Sequence, residues 1–144
     1  MRKPITLAAL LAGLCLLGTV SLPHLQSQPQ TPAAPQACSD EEAVVTSVKQ
    51  DLAALVDTVK KESEADFVSK YHQQTCQSRL SICLETTNSV LDCLSKAGKD
   101  ASTQNGESAY ATLKATLTQD IQELQRAKAP KDAKAAIETF DFSH

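Results

Sequence analysis

The chain is short, acidic and poor in aromatic residues, with 144 residues, 3% aromatic residues, no tryptophan and a formal net charge of −3. A chain of this length forms one small domain at most. Arg2 and Lys3 are the two bases before residue 40 and all 17 acids come later, so residues 38–144 carry 12 bases against 17 acids. An acidic domain without a cluster of bases repels phosphate groups, which argues against binding to nucleic acid and to anionic membrane surfaces.

The first residues follow the pattern of a secretory signal. Arg2 and Lys3 precede an uncharged, mostly aliphatic run from Ile5 to Val20, like the n- and h-regions of such signals. Residues 1–21 are therefore predicted to be a signal peptide, cleaved after Ser21, that sends the domain to a secreted or periplasmic location. The alternative is an uncleaved anchor with the domain on the extracytoplasmic side, because the run is only slightly shorter than the roughly 17–25 residues that span a bilayer.

Residues 22–37 contain four of the six prolines and four glutamines. This composition forms no packed core and favours extended conformers, so the segment is predicted to be a disordered tether. The folded domain is accordingly expected to occupy residues 38–144.

Residues 39–61 have the pattern of an amphipathic helix. Ser39 and Glu42 have the spacing of a capping box, in which the serine oxygen accepts from a first-turn amide while the glutamate reaches back. Apolar residues then recur every three or four positions, at Val45, Val48, Leu52, Leu55, Val56 and Val59. A turn is predicted at residues 60–64, with one long continuous helix as the alternative because neither glycine nor proline enforces the turn.

Three further helical segments follow along the chain. The second stripe ends at Gly98 and comprises Val68, Tyr71, Cys76, Leu80, Cys83, Thr87, Val90, Leu91 and Leu94. Residues 98–108 are predicted to be a loop, residues 110–129 a third helix and residues 132–140 a short fourth one. Because no segment alternates like a strand, the sequence predicts an all-α fold: a small antiparallel helical bundle of three longer helices and one short C-terminal helix, stapled by disulfides.

Four cysteines lie beyond the predicted signal, namely Cys38, Cys76, Cys83 and Cys93. An even number in an exported chain favours disulfides over free thiols. On one straight helix Cys76 and Cys83 stand about 10 Å apart along the axis, too far to bridge. Two arrangements therefore stay open. If the helix breaks at residues 86–89, Cys83 pairs with Cys93 and Cys38 with Cys76; if it runs straight, Cys38 meets Cys83 or Cys93 and two thiols stay free.

His72, Cys76 and Cys83 share one helical face and are weak candidates for a copper or zinc site. A histidine beside a structural cysteine gives the same pattern, and no second paired ligand motif is present, so neither metal nor cofactor is expected. No nucleophile has both a base and a group that orients the base, which predicts that the protein is not an enzyme.

The few aromatic residues have two expected roles. Phe67, Tyr71 and Tyr110 are predicted to fill the centre of the bundle. Phe140 and Phe142 are weak candidates for interaction anchors near the end of the chain, because two such residues on a helix point in different directions and one of them would be free for a partner.

These observations favour a non-enzymatic protein–protein interaction module. The alternatives are a carrier of a small apolar ligand in the bundle interior and a thiol or metal-binding protein that uses the face of His72, Cys76 and Cys83. An interaction module requires an exposed apolar patch, and a carrier requires an enclosed cavity of about 300 Å³ or more. A thiol or metal protein requires reduced cysteines within bonding distance. The partner and the oligomeric state are left open by the sequence.

Overall fold

The computed structural model describes residues 38–98 and 100–144, so the predicted signal peptide and tether lie outside the described residues. The described part contains five helices and no strand, which confirms the all-α prediction. The helices are α1 (Ser39–Lys61), α2 (Glu64–Ser69), α3 (His72–Ala97), α4 (Ala101–Arg126) and α5 (Pro130–Thr139). None of the helices in this part of the chain is long and apolar enough to cross a membrane.

Helix α3 lies at the centre of the bundle. It packs most extensively against α1 and α4, and α5 packs against all four of the other helices. The beginning of α1 meets the end of α3, because the Cα atoms of Cys38 and Cys93 are 5.9 Å apart. Gly106 near the start of α4 likewise faces Leu94 near the end of α3. The long helices that are neighbours are therefore antiparallel, as predicted.

The beginning of α1 differs from the predicted capping box. Cys38 rather than Ser39 is the N-cap residue, and no side chain caps the helix. The backbone nitrogen of Glu42 instead donates to the carbonyl oxygen of Cys38 at 3.0 Å. Asp40, Glu41 and Glu42 still lie in the first turn, where acidic side chains interact favourably with the helix dipole.

A turn separates α1 from α2, so the continuous-helix alternative is wrong. Glu62 is extended, with ψ 160°, and Ser63 caps α2 by accepting a hydrogen bond from the backbone nitrogen of Asp66 at 3.1 Å. The sequence pattern located this turn correctly but missed α2 as a separate helix, because six residues are too few to show a helical period.

The predicted loop at residues 98–108 is mostly helical. Gly98 ends α3 with φ 129°, as expected of a glycine stop, but α4 begins at Ala101. Asp100 is its N-cap, and the Asp100 carboxylate accepts from the backbone nitrogen of Thr103 at 2.7 Å. A capping aspartate therefore starts the helix within a polar stretch that resembles a loop in composition.

Helix α3 runs unbroken through residues 86–89, so the alternative with a broken helix is wrong. The hydroxyl groups of Thr86 and Thr87 donate to the carbonyl oxygens of Ile82 and Cys83, at 2.9 and 2.6 Å. Such bonds to the preceding turn satisfy the hydroxyl groups while the backbone stays helical.

The core follows the predicted stripes closely. Its fully buried large side chains include Leu52, Leu80, Leu117, Leu124 and Ile137. Of the three aromatic residues expected at the centre, Phe67 is 1% exposed and Tyr110 is half-buried, whereas Tyr71 is 69% exposed. The expectation for Tyr71 is therefore wrong.

Candidate functional site

The junction between α2 and α3 presents an aromatic side chain to solvent. Tyr71 and Val68, which is 47% exposed, were both assigned to the buried stripe by their spacing. The assignment fails because Tyr71 has φ 56° and ψ 35°, which interrupts the helical period before α3 begins. These two residues, which we call the junction patch, are joined by a hydrogen bond from the Tyr71 backbone nitrogen to the Val68 oxygen at 3.1 Å.

Tyr71 is the one non-glycine residue with positive φ in the described ranges 38–98 and 100–144. It follows the last residues of α2 at a position where glycine or asparagine is usual, and a bulky side chain there costs on the order of 1 kcal/mol or more. Its carbonyl oxygen accepts from both the backbone nitrogen and the hydroxyl group of Thr75, at 3.0 and 3.1 Å. The backbone of the exposed tyrosine is therefore fixed on both sides.

A nearly buried carboxylate supports the junction from within. The Glu62 side chain is 6% exposed, and it contacts Nδ1 of His72 and, at 3.4 Å, Nζ of Lys70. The ring of Phe67 meets that of His72 edge-on, with centroids 6.4 Å apart. These contacts connect the end of α1 to both α2 and the start of α3, so the residues on either side of the junction patch are held in place by packing and ion pairs.

The same contacts involve His72, one of the three residues that the sequence offers as metal ligands. His72 is engaged with Glu62, and within the described residues no group of three histidine, cysteine or acidic side chains is arranged to hold a metal ion. His72 and Cys83 are eleven residues apart on α3, which corresponds to about 16 Å along the axis. The structure therefore does not bring His72, Cys76 and Cys83 together.

The cysteines adopt the straight-helix arrangement. Cys38 and Cys93 form a disulfide between the start of α1 and the end of α3, and Cys76 and Cys83 are free and buried. The alternative pairing of Cys83 with Cys93 and of Cys38 with Cys76 is not formed, because the continuous α3 keeps Cys83 and Cys93 apart. The disulfide fits an oxidising, extracytoplasmic environment.

Burial suppresses the reactivity of both free thiols. It raises the pKa of Cys76 to about 12, with a further contribution from the negative charge of Asp120. Burial also raises the pKa of Cys83, although a hydrogen bond with Thr87 and the charge of Lys49 oppose the shift. Since the thiolate is the nucleophilic form, burial lowers the reactivity of both cysteines at neutral pH.

Asp120 of α4 is a buried acid that is not among the site residues predicted from the sequence. It is 8% exposed, and its Oδ2 atom is buried without a hydrogen-bond partner. Burial, followed by the negative charge of Glu123, raises its pKa to about 6. Its place in the apolar stripe, between Leu117 and Leu124, was the available sign of burial.

Phe140 and Phe142 are both buried, at 5% and 6% exposure, so neither is free to serve as an exposed anchor. The chain leaves helical geometry after Thr139, and Phe140 is extended with ψ 139°. Side chains two residues apart then lie on the same side, which places the two rings edge-on at 6.3 Å. The expectation that they point in different directions assumed a helix that has already ended.

Two shallow cavities open on the described surface. One of about 220 Å³ lies between α1 and α4 and is lined by Val45, Thr46, Lys49, Ala109, Tyr110 and Leu113. The other, of about 240 Å³, lies between α1 and residues 140–143. Both are open to solvent and smaller than the enclosed volume of about 300 Å³ that a carrier of apolar ligands requires.

Comparison with protein-family models, with curated proteins and with solved structures finds no match for this chain. Evidence for its function therefore comes from the arrangement of its own residues.

Proposed function

We propose that the protein is an exported helical module that binds another protein, and that the junction patch of Val68 and Tyr71 is its anchor. The observation that carries the proposal is Tyr71, an aromatic side chain that is 69% exposed on a fixed, left-handed backbone. Tyrosine is enriched among residues that dominate binding energy, since its ring offers a large contact area with little loss of conformational entropy.

The environment of the patch also supports the proposal. The large hydrophobic side chains that are exposed in the described part are Val44, Val68, Tyr71 and Ile82, and two of them fall within this short junction. The contacts of Glu62 with His72 and Lys70 hold the patch in place before a partner arrives. An anchor that is ordered in advance loses less free energy on binding.

Export is part of the proposal, supported by the Cys38–Cys93 disulfide together with the charged and apolar pattern of residues 1–21.

Site-specific photocrosslinking in the native host tests the proposal. A photoreactive phenylalanine analogue at position 71 of the full chain is expected to give a discrete covalent adduct with one protein. The matched control places the analogue at position 82, which is also exposed and apolar but lies on α3 away from the junction. Equal adducts at both positions, or no adduct at position 71, would contradict the proposal.

Once the partner is identified, the variant Tyr71→Asn removes the ring while asparagine tolerates the left-handed backbone. We expect its affinity for the partner to fall at least tenfold, which is the usual loss on truncation of an anchor, with unchanged helical content by circular dichroism. The control Ile82→Asn is expected to bind as well as the unsubstituted protein.

A further inference from the structure

Cys76 of α3 and Asp120 of α4 are both buried, and their helices pack against each other. Cys76 is 0% exposed and Asp120 is 8% exposed, and the negative charge of the carboxyl group acts on the thiol. Oδ2 of Asp120 has no hydrogen-bond partner. An ionised carboxylate without a partner is costly to bury, so the closed interface is less stable when Asp120 is charged than when it is protonated.

The neighbouring charges give Asp120 no compensating partner. On α4 itself, Glu123 carries the same sign and adds to the cost of ionisation. On α3, Arg79 acts on the Cys76 thiol and donates from Nη1 to the backbone oxygen of Asp51 on α1 at 3.1 Å, but it is not among the groups that shift the pKa of Asp120. On α5, which also packs against α4, Lys134 is paired with Glu138.

We infer that the α3–α4 interface around Asp120 is a pH-dependent latch that controls access to the Cys76 thiol. When the carboxyl group is protonated, α4 stays docked and the thiol is shielded. When Asp120 is ionised, this part of α4 separates from α3 more often, because the carboxylate gains hydration in the open state. Thiol reagents and oxidants then reach Cys76.

The raised pKa of Asp120, from its ordinary 3.8 to about 6, sets the range in which the latch responds. A group with a higher pKa in the closed state favours that state at low pH, and the advantage is lost as the pH rises through the closed-state value. For this shift, the open fraction rises about tenfold between pH 5 and pH 7.5 by proton linkage.

Cys83 provides an internal control on the same helix. It is also 0% exposed and free, but the charged group that acts on it is Lys49 of α1 rather than Asp120. Local separation of α4 at Asp120 should expose Cys76 in preference to Cys83, whereas global unfolding exposes both thiols equally. The ratio of the two labelling rates also cancels the general increase of thiol reactivity with pH.

The experiment labels the oxidised full chain with dithiodipyridine, which reacts with thiols at acidic pH, and measures each adduct by mass spectrometry. The ratio of Cys76 to Cys83 labelling is expected to rise about tenfold from pH 5 to pH 7.5. In Asp120→Asn the ratio should stay at its low, acidic value throughout. A constant ratio in the unsubstituted protein, or a rise that persists in Asp120→Asn, overturns the inference.

Glu123→Gln gives a second test that does not depend on the folding of Asp120→Asn. Removal of the like charge lowers the pKa of Asp120 in the closed state, so the rise in the labelling ratio should level off at a lower pH, and be smaller between pH 5 and pH 7.5, than in the unsubstituted protein. A rise of unchanged size that levels off at the same pH would show that Asp120 does not control the opening.

Discussion

At the scale of single residues, Phe140 and Phe142 show how a change of backbone geometry changes the role of a side chain. On a helix they would diverge, but in the extended segment after Thr139 both rings lie against the bundle. The contact of Lys49 with the backbone oxygen of His144 holds the end of this segment on α1. The two rings therefore contribute to the stability of the domain.

Phe140→Ala and Phe142→Ala are each expected to lower the free energy of unfolding by about 3 kcal/mol, near the lower end for buried phenylalanine. The adjacent open cavity lets the site relax in part, which keeps the cost from being larger. Urea denaturation followed by circular dichroism measures the effect, and the exposed Ser143→Ala serves as the control. A loss below about 1 kcal/mol would show that these rings are not part of the core.

Tyr71 shows the limit of spacing as a guide to burial. Its position fits the stripe that includes Cys76 and Leu80, yet a single residue with positive φ turns its side chain outward. Phe67 precedes this turn, within α2, and the prediction that it belongs to the core is confirmed. Neither glycine nor asparagine occupies position 71, so the sequence carries no sign of a left-handed residue there.

At the scale of helices, α4 depends on Asp100 at its N-terminus. The carboxylate accepts from both the backbone nitrogen and the hydroxyl group of Thr103, at 2.7 and 2.9 Å. These hydrogen bonds lower the pKa of Asp100. The cap therefore stabilises the folded state above the ordinary pKa of aspartate, and this contribution is lost as the pH falls through the lowered value.

Asp100→Ala is accordingly expected to reduce the free energy of unfolding at neutral pH, with a difference from the unsubstituted protein that shrinks as the solution becomes more acidic than pH 4. Urea denaturation at several pH values measures this dependence. Asp92→Ala is the matched control, because Asp92 is an exposed acid in an ion pair with Lys96 that stabilises by only a few tenths of a kcal/mol. A difference that does not change with pH would contradict the capping role.

At the scale of the whole molecule, the Cys38–Cys93 disulfide joins the start of α1 to the end of α3 across a sequence separation of 55 residues. A closed loop of this length lowers the conformational entropy of the unfolded chain. In the chain-entropy account, this raises the free energy of unfolding by about 4 kcal/mol. This contribution is large for a small domain, since the net stability of such domains is about 5–15 kcal/mol.

Reduction of the disulfide is therefore expected to lower the free energy of unfolding by about 4 kcal/mol. Urea denaturation with and without reductant measures the change. In the double variant Cys38→Ser, Cys93→Ser, reductant should have no further effect, which separates the disulfide from other actions of the reagent. Equal free energies of unfolding for the oxidised and reduced protein would contradict a stabilisation by the disulfide through the conformational entropy of the unfolded chain.

The sequence alone determined the helical class, the apolar faces of α1 and the other long helices, and the turn near Ser63. These features depend on periodicity and on local side-chain chemistry, which neighbouring residues specify directly. Tertiary structure decided which cysteines pair, that Tyr71 faces solvent, and that Asp120 is buried without a partner. Those outcomes depend on which helix lies against which, and contacts between residues that are distant in sequence leave no periodic signal along the chain.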